Sequence, residues 1–162
     1  MRTTDVGSEP SSPTPVVQPG ALALESVSLG VADVDRATSF YQSLGWRQDA
    51  DIKAGDLRVV QFTPPGSGCS IRFGENFTEV EPGAVQDLLL TVYDIDAARE
   101  ALIGRGIEVS EPFHYAGVRV GPESHIPGPD PEGRSYFTHA SFTDPDGNGW
   151  LLQEIKERLP GR

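Results

Sequence analysis

An internal repeat constrains the fold of this chain more than any single motif does. Residues 87–107, DLLLTVYDIDAAREALIGRGI, align without a gap with residues 26–46, SVSLGVADVDRATSFYQSLGW, at an offset of 61. Asp33 coincides with Asp94, and Gly45 coincides with Gly106. In the first copy, alternating apolar residues are followed, after the aspartate, by apolar residues at helical spacing. The sequence therefore predicts two related modules, each beginning with a strand and a helix.

The segments after each helix predict a group of strands. Three candidates follow the first helix, at residues 46–52, 57–63 and 69–73, so the predicted order is β-α-β-β-β. Gly66-Ser67-Gly68 aligns with Gly147-Asn148-Gly149 at an offset of 81, so the second copy carries about 20 extra residues. They fall in residues 110–135, which are rich in Gly and Pro and are predicted to form a long loop. Such a loop is either a lid or binding element, or disordered.

The last predicted hairpin spans Phe142–Ile155, FTDPDGNGWLLQEI. Its centre is a run of turn-forming residues, and apolar residues flank it on both sides. Side-chain alternation places Trp150, Leu152 and Glu154 on one face of the second strand. Burying an unpaired carboxylate is costly, so Glu154 is expected to be solvated, hydrogen-bonded, paired or bound to a cation. It is the first candidate for chemistry in this chain.

Composition and charge limit the kind of protein and its partners. A chain of 162 residues suits one domain, and a net charge of −11 argues against binding to nucleic acid or to an anionic membrane. The single Cys69 excludes an internal disulfide framework. No apolar run is long enough to span a bilayer, and no secretory signal is evident, so a cytoplasmic location is expected. Residues 1–20 are predicted to be a disordered tail, and 157–162 a short C-terminal tail.

Three motifs together resemble those of a known superfamily. They are V-x-D-V-D-R-A-x-x-F-Y-x-x-L-G at 31–45, V-Y-D-I-D-A-A at 92–98 and F-x-D-P-D-G-N-G-W-x-x-Q-E at 142–154. The chain resembles the vicinal oxygen chelate superfamily of glyoxalases, bleomycin-resistance proteins and extradiol dioxygenases over about residues 23–156. The resemblance implies an α+β fold of two tandem βαβββ modules, 21–80 and 81–156, whose curled mixed sheets enclose a shared cleft. Members of this superfamily hold a divalent metal in the cleft, or have lost it and sequester a ligand.

The resemblance also implies four positions for metal ligands. In the first strand of each module these are Ser26 and Asp87, and in the last strand they are Phe73 and Glu154. Glu154 suits a cation, and Asp87 is a second candidate ligand that favours Mg²⁺ or Mn²⁺ over zinc. Ser26 is a poor ligand and Phe73 is none. Because no histidine occupies any of the four positions, glyoxalase I activity is not expected. Whether Mg, Mn, Fe, Ni, Zn or no metal is bound stays open.

Other side chains are candidates for catalysis or ligand binding. His139 is suited to general acid–base work beside Glu154, but the sequence leaves open which face of its strand lines the cleft. His114 and His125 lie in the long loop, where histidines are more often solvated. Strand parity leaves open whether the cleft is lined by Arg72, which suits an anionic ligand, or by the adjacent Phe73. The candidate ligand-binding residues are Trp150, Phe73, Arg72 and Ser26.

Two functions remain open from the sequence. The first is a metal-assisted lyase, isomerase or dioxygenase-type enzyme in which Glu154, with Asp87 and water, holds the cation. The alternative is a metal-free protein that binds or sequesters a small molecule between aromatic walls that include Trp150 and Phe73. In that case Glu154 and Asp87 would pair with a cationic ligand. In both cases the expected partner is a small organic molecule, and a homodimer is expected by analogy with the superfamily.

Overall fold

The first module forms a four-stranded mixed sheet with one helix. The computed structural model describes residues 18–117 and 121–160, so the predicted N-terminal tail lies outside the described residues except for 18–20. The sheet order is β1-β4-β3-β2, with β1 parallel to β4 and the other neighbours antiparallel. The elements are β1 (Ser26–Ser28), α1 (Val34–Ser43), β2 (Arg47–Ala54), β3 (Leu57–Thr63) and β4 (Ser70–Glu75).

The second module repeats this arrangement and extends it. Its sheet order is β5-β9-β8-β6-β7, again with the first strand parallel to the last, and β7 is an additional edge strand. The α+β prediction is confirmed, and the two sheets are not closed into a barrel. The elements are β5 (Leu88–Val92), α2 (Ile95–Gly104), β6 (Phe113–Tyr115), a 3-10 turn (Pro122–Ser124), β7 (His125–Pro127), β8 (His139–Thr143) and β9 (Gly149–Glu154).

The two helices start and end as the repeat predicts. The Asp33 side chain accepts a hydrogen bond from the Arg36 backbone N–H at 2.9 Å, and Asp94 accepts one from Ala97 at 3.0 Å. These contacts satisfy N–H groups that lack a partner within the helix. Gly45 and Gly106 follow the helices with φ of +76° and +84°, which favours glycine. Both helices have 10 residues, and neither is long and apolar enough to cross a membrane.

Part of the segment predicted as a long loop forms strands instead. Within residues 110–135, β6 and β7 pair antiparallel, and Phe113 pairs in turn with His139 of β8. The strands contain only three residues each, which is too short for an alternating pattern to be recognised in the sequence. The extra residues of the second copy therefore widen its sheet.

A single core joins the two modules, between the helices and the sheet faces that they cover. Tyr41 of α1 is fully buried, and its ring lies 5.6 Å from that of Phe73 in the first sheet and 6.2 Å from that of Trp150 in the second. Aromatic side chains from both sheets thus pack around one helix residue. The buried core residues are Leu29, Val34, Ala37, Tyr41, Leu44, Val60, Phe62, Ile71, Phe73, Ile95, Ile107, Ala140, Phe142, Trp150 and Leu152.

The β8–β9 turn holds the modules together by hydrogen bonds. The Tyr41 hydroxyl donates to Asp144 Oδ2 at 2.9 Å, and Asn148 Nδ2 donates to the Gly30 carbonyl at 2.9 Å. Asp146 Oδ1 accepts from the backbone N–H of Ala32 at 3.0 Å, just before α1. Burial and the adjacent Asp144 carboxylate raise the pKa of Tyr41 well above its usual range, so its phenol stays a donor. We call these contacts the inter-module clasp.

Candidate ligand-binding cleft

A cleft with a volume of about 940 Å³ lies over the face of the second sheet that α2 leaves open, and it reaches past the sheet to Phe40, Phe142 and Trp150 of the core. Its floor consists of alternate residues of neighbouring strands: His139 and Ser141 in β8 lie opposite Gln153 and Leu151 in β9. Leu151 in turn lies opposite Leu89 in β5. Paired residues of adjacent strands share a face, so this register aligns the side chains on the cleft side. His139 therefore lies on the face that lines the cleft, a point that the sequence left open.

The environment of His139 fixes its protonation. Gln153 Nε2 lies 3.1 Å from the Tyr136 carbonyl and 3.2 Å from His139 Nε2. Because the amide nitrogen is a donor, Nε2 of the imidazole accepts, and the network assigns the ring proton to Nδ1. The residue is only 4% exposed, and Nδ1 has no hydrogen-bond partner within the part of the chain that the structure describes. Burial lowers the pKa of His139 against a smaller opposing effect of the Phe137 carbonyl, and nearby His125 lowers it further. The imidazole is thus held neutral.

Aromatic rings form the wall of the cleft beside His139. The Phe113 and His125 rings stack with centroids 3.9 Å apart and an interplanar angle of 20°. Tyr115 packs edge-on against His139 at 5.0 Å. Burial and the charge of Asp87 raise the pKa of Tyr115, so its hydroxyl stays protonated. This wall suits contact with a flat, uncharged molecule.

Asp87 stands at the rim of the cleft. It lines the cavity, is exposed, and has a φ of 59°, a conformation that aspartate tolerates better than most residues. Glu108 also lines the cavity and is exposed. The carboxylates of these two residues therefore add negative charge to the opening.

Glu154 lies on the other face of β9. Its Oε2 accepts a hydrogen bond from the Ile95 backbone N–H at 3.0 Å, and its Oε1 pairs with Lys156 Nζ at 3.1 Å. The residue is 6% exposed, and the cleft lining contains its neighbour Gln153 instead. The carboxylate thus supplies a partner and a negative charge at the N-terminal end of α2. Its catalytic and metal-binding roles stay predictions, and this placement does not support them.

The remaining candidates are divided among three places. Trp150 lines the cleft while its Nε1 donates to the Tyr41 hydroxyl at 3.2 Å, so it belongs to both cleft and core. Phe73 is fully buried in the core. Ser26 and Arg72 lie on the open face of the first sheet, outside the residues that line the cleft. The structure therefore brings together His139, Trp150 and Asp87, and separates them from Glu154, Phe73, Ser26 and Arg72.

The two loop histidines also differ. His125 lines the cleft through its stack on Phe113, whereas His114 Nδ1 lies 2.9 Å from the Gly128 carbonyl. Sequence reasoning missed Gln153 and Leu151, although alternation already placed them opposite to Glu154. It also missed Phe113 and Tyr115, because they lie in the segment predicted as a loop.

The metal implied by the resemblance does not fit the side chains. Within residues 18–117 and 121–160, no three or more His, Cys, Asp or Glu side chains are grouped so that they could hold one ion. The cleft brings together His125, His139 and Asp87 only as separate lining residues, and Glu154 faces α2. A metal there would need most of its ligands from outside these side chains.

Comparisons with known proteins agree with this fold. No curated protein matches the chain. Among solved structures, TnmS3, an antibiotic binding protein from Streptomyces sp. CB03234, is 27% identical with a TM-score of 0.61, covering 84% of this chain and 98% of that one. A member of the Glyoxalase/bleomycin resistance protein/dioxygenase superfamily from Sphaerobacter thermophilus DSM 20745 is 27% identical with a TM-score of 0.62, covering 83% and 98%.

A second protein from Streptomyces sp. CB03234, a glyoxalase/bleomycin resistance protein, is 28% identical with a TM-score of 0.58, covering 82% of this chain and 100% of that one. The profile of one superfamily matches residues 23–152, which is most of the sequence and includes both modules. The chain belongs to the Glyoxalase/Bleomycin resistance protein/Dioxygenase superfamily.

Proposed function

We propose that this protein binds and sequesters a flat, predominantly apolar small molecule in the cleft over its second sheet. The observation that carries the proposal is the composition of that cleft. Leu89, Leu151 and the stacked rings of Phe113 and His125 line it, and His139 is held neutral on its floor. Such a surface favours burial of an uncharged aromatic body.

The antibiotic-binding neighbour supports the same class of function. TnmS3, an antibiotic binding protein, is 27% identical to this chain over nearly its whole length. The side chains available for metal binding also support this proposal, since the described residues do not form a set of three metal ligands. Binding without chemical turnover needs no such set.

A metal-assisted lyase, isomerase or dioxygenase reaction has less support. Glu154 is engaged by Ile95 and Lys156 on the far side of β9, and Asp87 stands at the rim. One observation favours an enzyme nonetheless: His139 is a neutral imidazole in the cleft, the form required of a general base. Its Nε2 lies beside Gln153, so a substrate would have to displace that amide to reach it.

A fluorescence titration tests the binding proposal. N-phenylnaphthylamine, an uncharged aromatic amine whose emission rises in apolar sites, serves as the probe. We expect it to bind the wild type, and Leu151→Arg to weaken binding at least about tenfold because it places a charge on the cleft floor. Ile103→Arg is the matched control, since Ile103 is 50% exposed on α2. Equal affinity in Leu151→Arg and Ile103→Arg, or no binding by the wild type, would contradict the proposal.

Two further predictions concern assembly and location. We propose a homodimer, as expected by analogy with the superfamily to which the chain belongs. Sedimentation of the purified protein tests this directly. The cytoplasmic location expected from the sequence also stays a prediction.

A further inference from the structure

Arg72 differs from the other arginines that the structure shows partly or fully buried. Arg58 pairs with Asp51 at 2.8 Å and with Asp35 at 2.7 Å, and Arg99 pairs with Glu111 at 2.9 Å. Arg72 is half-buried but forms no ion pair with any described residue. Its Nε is buried and has no hydrogen-bond partner within the described part of the chain. A buried N–H donor without an acceptor is unfavourable, so the Nε–H of Arg72 favours binding of an acceptor at this position.

The position of Arg72 is fixed by the β4 strand that carries it and by the ring of Phe77 beside it. Ile71 and Phe73, its neighbours in β4, are buried in the core, so the Arg72 side chain must project from the open face of the first sheet. Its guanidinium carbon lies 5.2 Å from the centroid of the Phe77 ring. Gly74 lets the β3 backbone approach β4 closely, because a Cβ at Gly74 would lie 1.8 Å from the Arg58 carbonyl oxygen. The guanidinium is therefore held against an aromatic surface, and its buried Nε has no acceptor among the residues that the structure describes.

The neighbours of Arg72 are neutral polar groups. Ser28 and Gln61 lie directly opposite it in the adjacent strands, and Ser26 and Ser70 form the next row. Asp49, which accepts a hydrogen bond from Gln61 on this face, already binds Arg47 and the Thr63 hydroxyl. Burial raises the pKa of Asp49, but these contacts outweigh that effect and lower it. In a chain with a net charge of −11, hydrogen-bonding groups here surround a cation that forms no ion pair with the described residues.

We propose that the open face of the first sheet is a binding site for an organic oxyanion, a carboxylate, sulfonate or phosphate on an aromatic body. Arg72 binds the anion through the planar fork of its guanidinium, Ser28 and Gln61 hydrogen-bond its remaining oxygens, and Phe77 contacts the ring. This site goes beyond the proposed function, because Arg72, Ser28 and Gln61 do not line the cleft over the second sheet. One chain thus offers one surface for an anion and another for an uncharged ring.

A matched pair of probes tests this assignment. Anilinonaphthalene sulfonate and N-phenylnaphthylamine share an aromatic skeleton, and only the first carries an anion. We expect Arg72→Gln to weaken binding of the sulfonate at least about tenfold and Arg72→Lys to weaken it less. The affinity for the amine should be unchanged in both variants. Arg158→Gln is the control, since Arg158 is exposed and unpaired among the described residues. In nitrogen-edited NMR, the Nε–H signal that Arg72→Gln removes should shift when the sulfonate is added to the wild type.

Three outcomes would overturn the site. One is sulfonate binding that Arg72→Gln leaves unchanged. Another is an equal loss of both probes in Arg72→Gln, which would show that Arg72 only supports the fold. The third is an Arg72→Gln variant that sediments as a smaller species than the wild type without a selective loss of sulfonate binding. That result would assign Arg72 to contact with a second copy of the chain. Failure of the cleft proposal would be seen separately, because the wild type would then not bind the amine.

Discussion

At the scale of single residues, Glu154 and His139 show how strand parity decides a role. Both belong to the last hairpin, but Glu154 contacts the start of α2 while His139 lines the cleft. The sequence correctly indicated that Glu154 would need partners, since burial of a bare carboxylate is costly. It did not indicate that the partners would be a helix N-terminus and a lysine, because both depend on tertiary packing.

The contacts of Glu154 predict the effect of Glu154→Gln. Loss of the charge weakens the hydrogen bond to Ile95 and removes the ion pair with Lys156. We expect the free energy of unfolding to fall by about 1 kcal/mol. Affinity for N-phenylnaphthylamine should stay unchanged. Urea unfolding and a probe titration measure the two effects, with the exposed Glu157→Gln as control. Loss of probe binding in a Glu154→Gln variant that remains folded would show that Glu154 contributes to ligand binding.

The lowered pKa of His139 predicts a pH dependence of stability. The folded state releases the proton more readily than the unfolded chain, whose histidine titrates near 6.5. The contribution of His139 is therefore complete above pH 6.5 and is lost as the pH falls from there towards its folded pKa. We expect His139→Gln to reduce the pH dependence of the unfolding free energy over that interval. Urea titrations at several pH values measure it. An unchanged slope would show that the imidazole is not held neutral.

At the scale of secondary-structure elements, local signals predicted the helices well and the second sheet less well. Asp33 and Asp94 cap the helices as predicted, because capping depends on neighbours within three residues. The β6 and β7 strands were missed, since their pairing is with residues distant in sequence and each is only three residues long. The sequence also left open which face of β8 lines the cleft, for a related reason. Alternation shows which residues share a face, but only the packed helix shows which face is covered.

The β8–β9 turn predicts a loss of stability in Tyr41→Phe. Removing the hydroxyl takes a donor from Asp144 and an acceptor from the indole N–H of Trp150, both buried. We expect a loss of about 1–3 kcal/mol in unfolding free energy, because buried polar groups are left without partners. Tyr93→Phe provides the control, since Tyr93 is 73% exposed. Equal stability of the two variants would show that the Tyr41 hydroxyl adds nothing to the inter-module clasp beyond the packing of the ring.

At the scale of the whole molecule, the shared core predicts that the two modules unfold together. Trp46 packs against Trp150 with ring centroids 5.0 Å apart, so each tryptophan reports on both modules. The variants Trp46→Phe and Trp150→Phe each leave one tryptophan as a fluorescent reporter. Within either variant, we expect fluorescence and circular dichroism to show one and the same urea midpoint. Two separated transitions would show that the modules fold as independent units.

The most direct test of the binding cleft is a crystal structure of the protein with N-phenylnaphthylamine. The cleft account predicts that the aromatic rings lie over the open face of the second sheet, against Leu151, beside His139 and the Phe113–His125 stack. Glu154 should keep its contacts with Ile95 and Lys156 in the complex. A ligand bound elsewhere, with this face empty, would contradict the account.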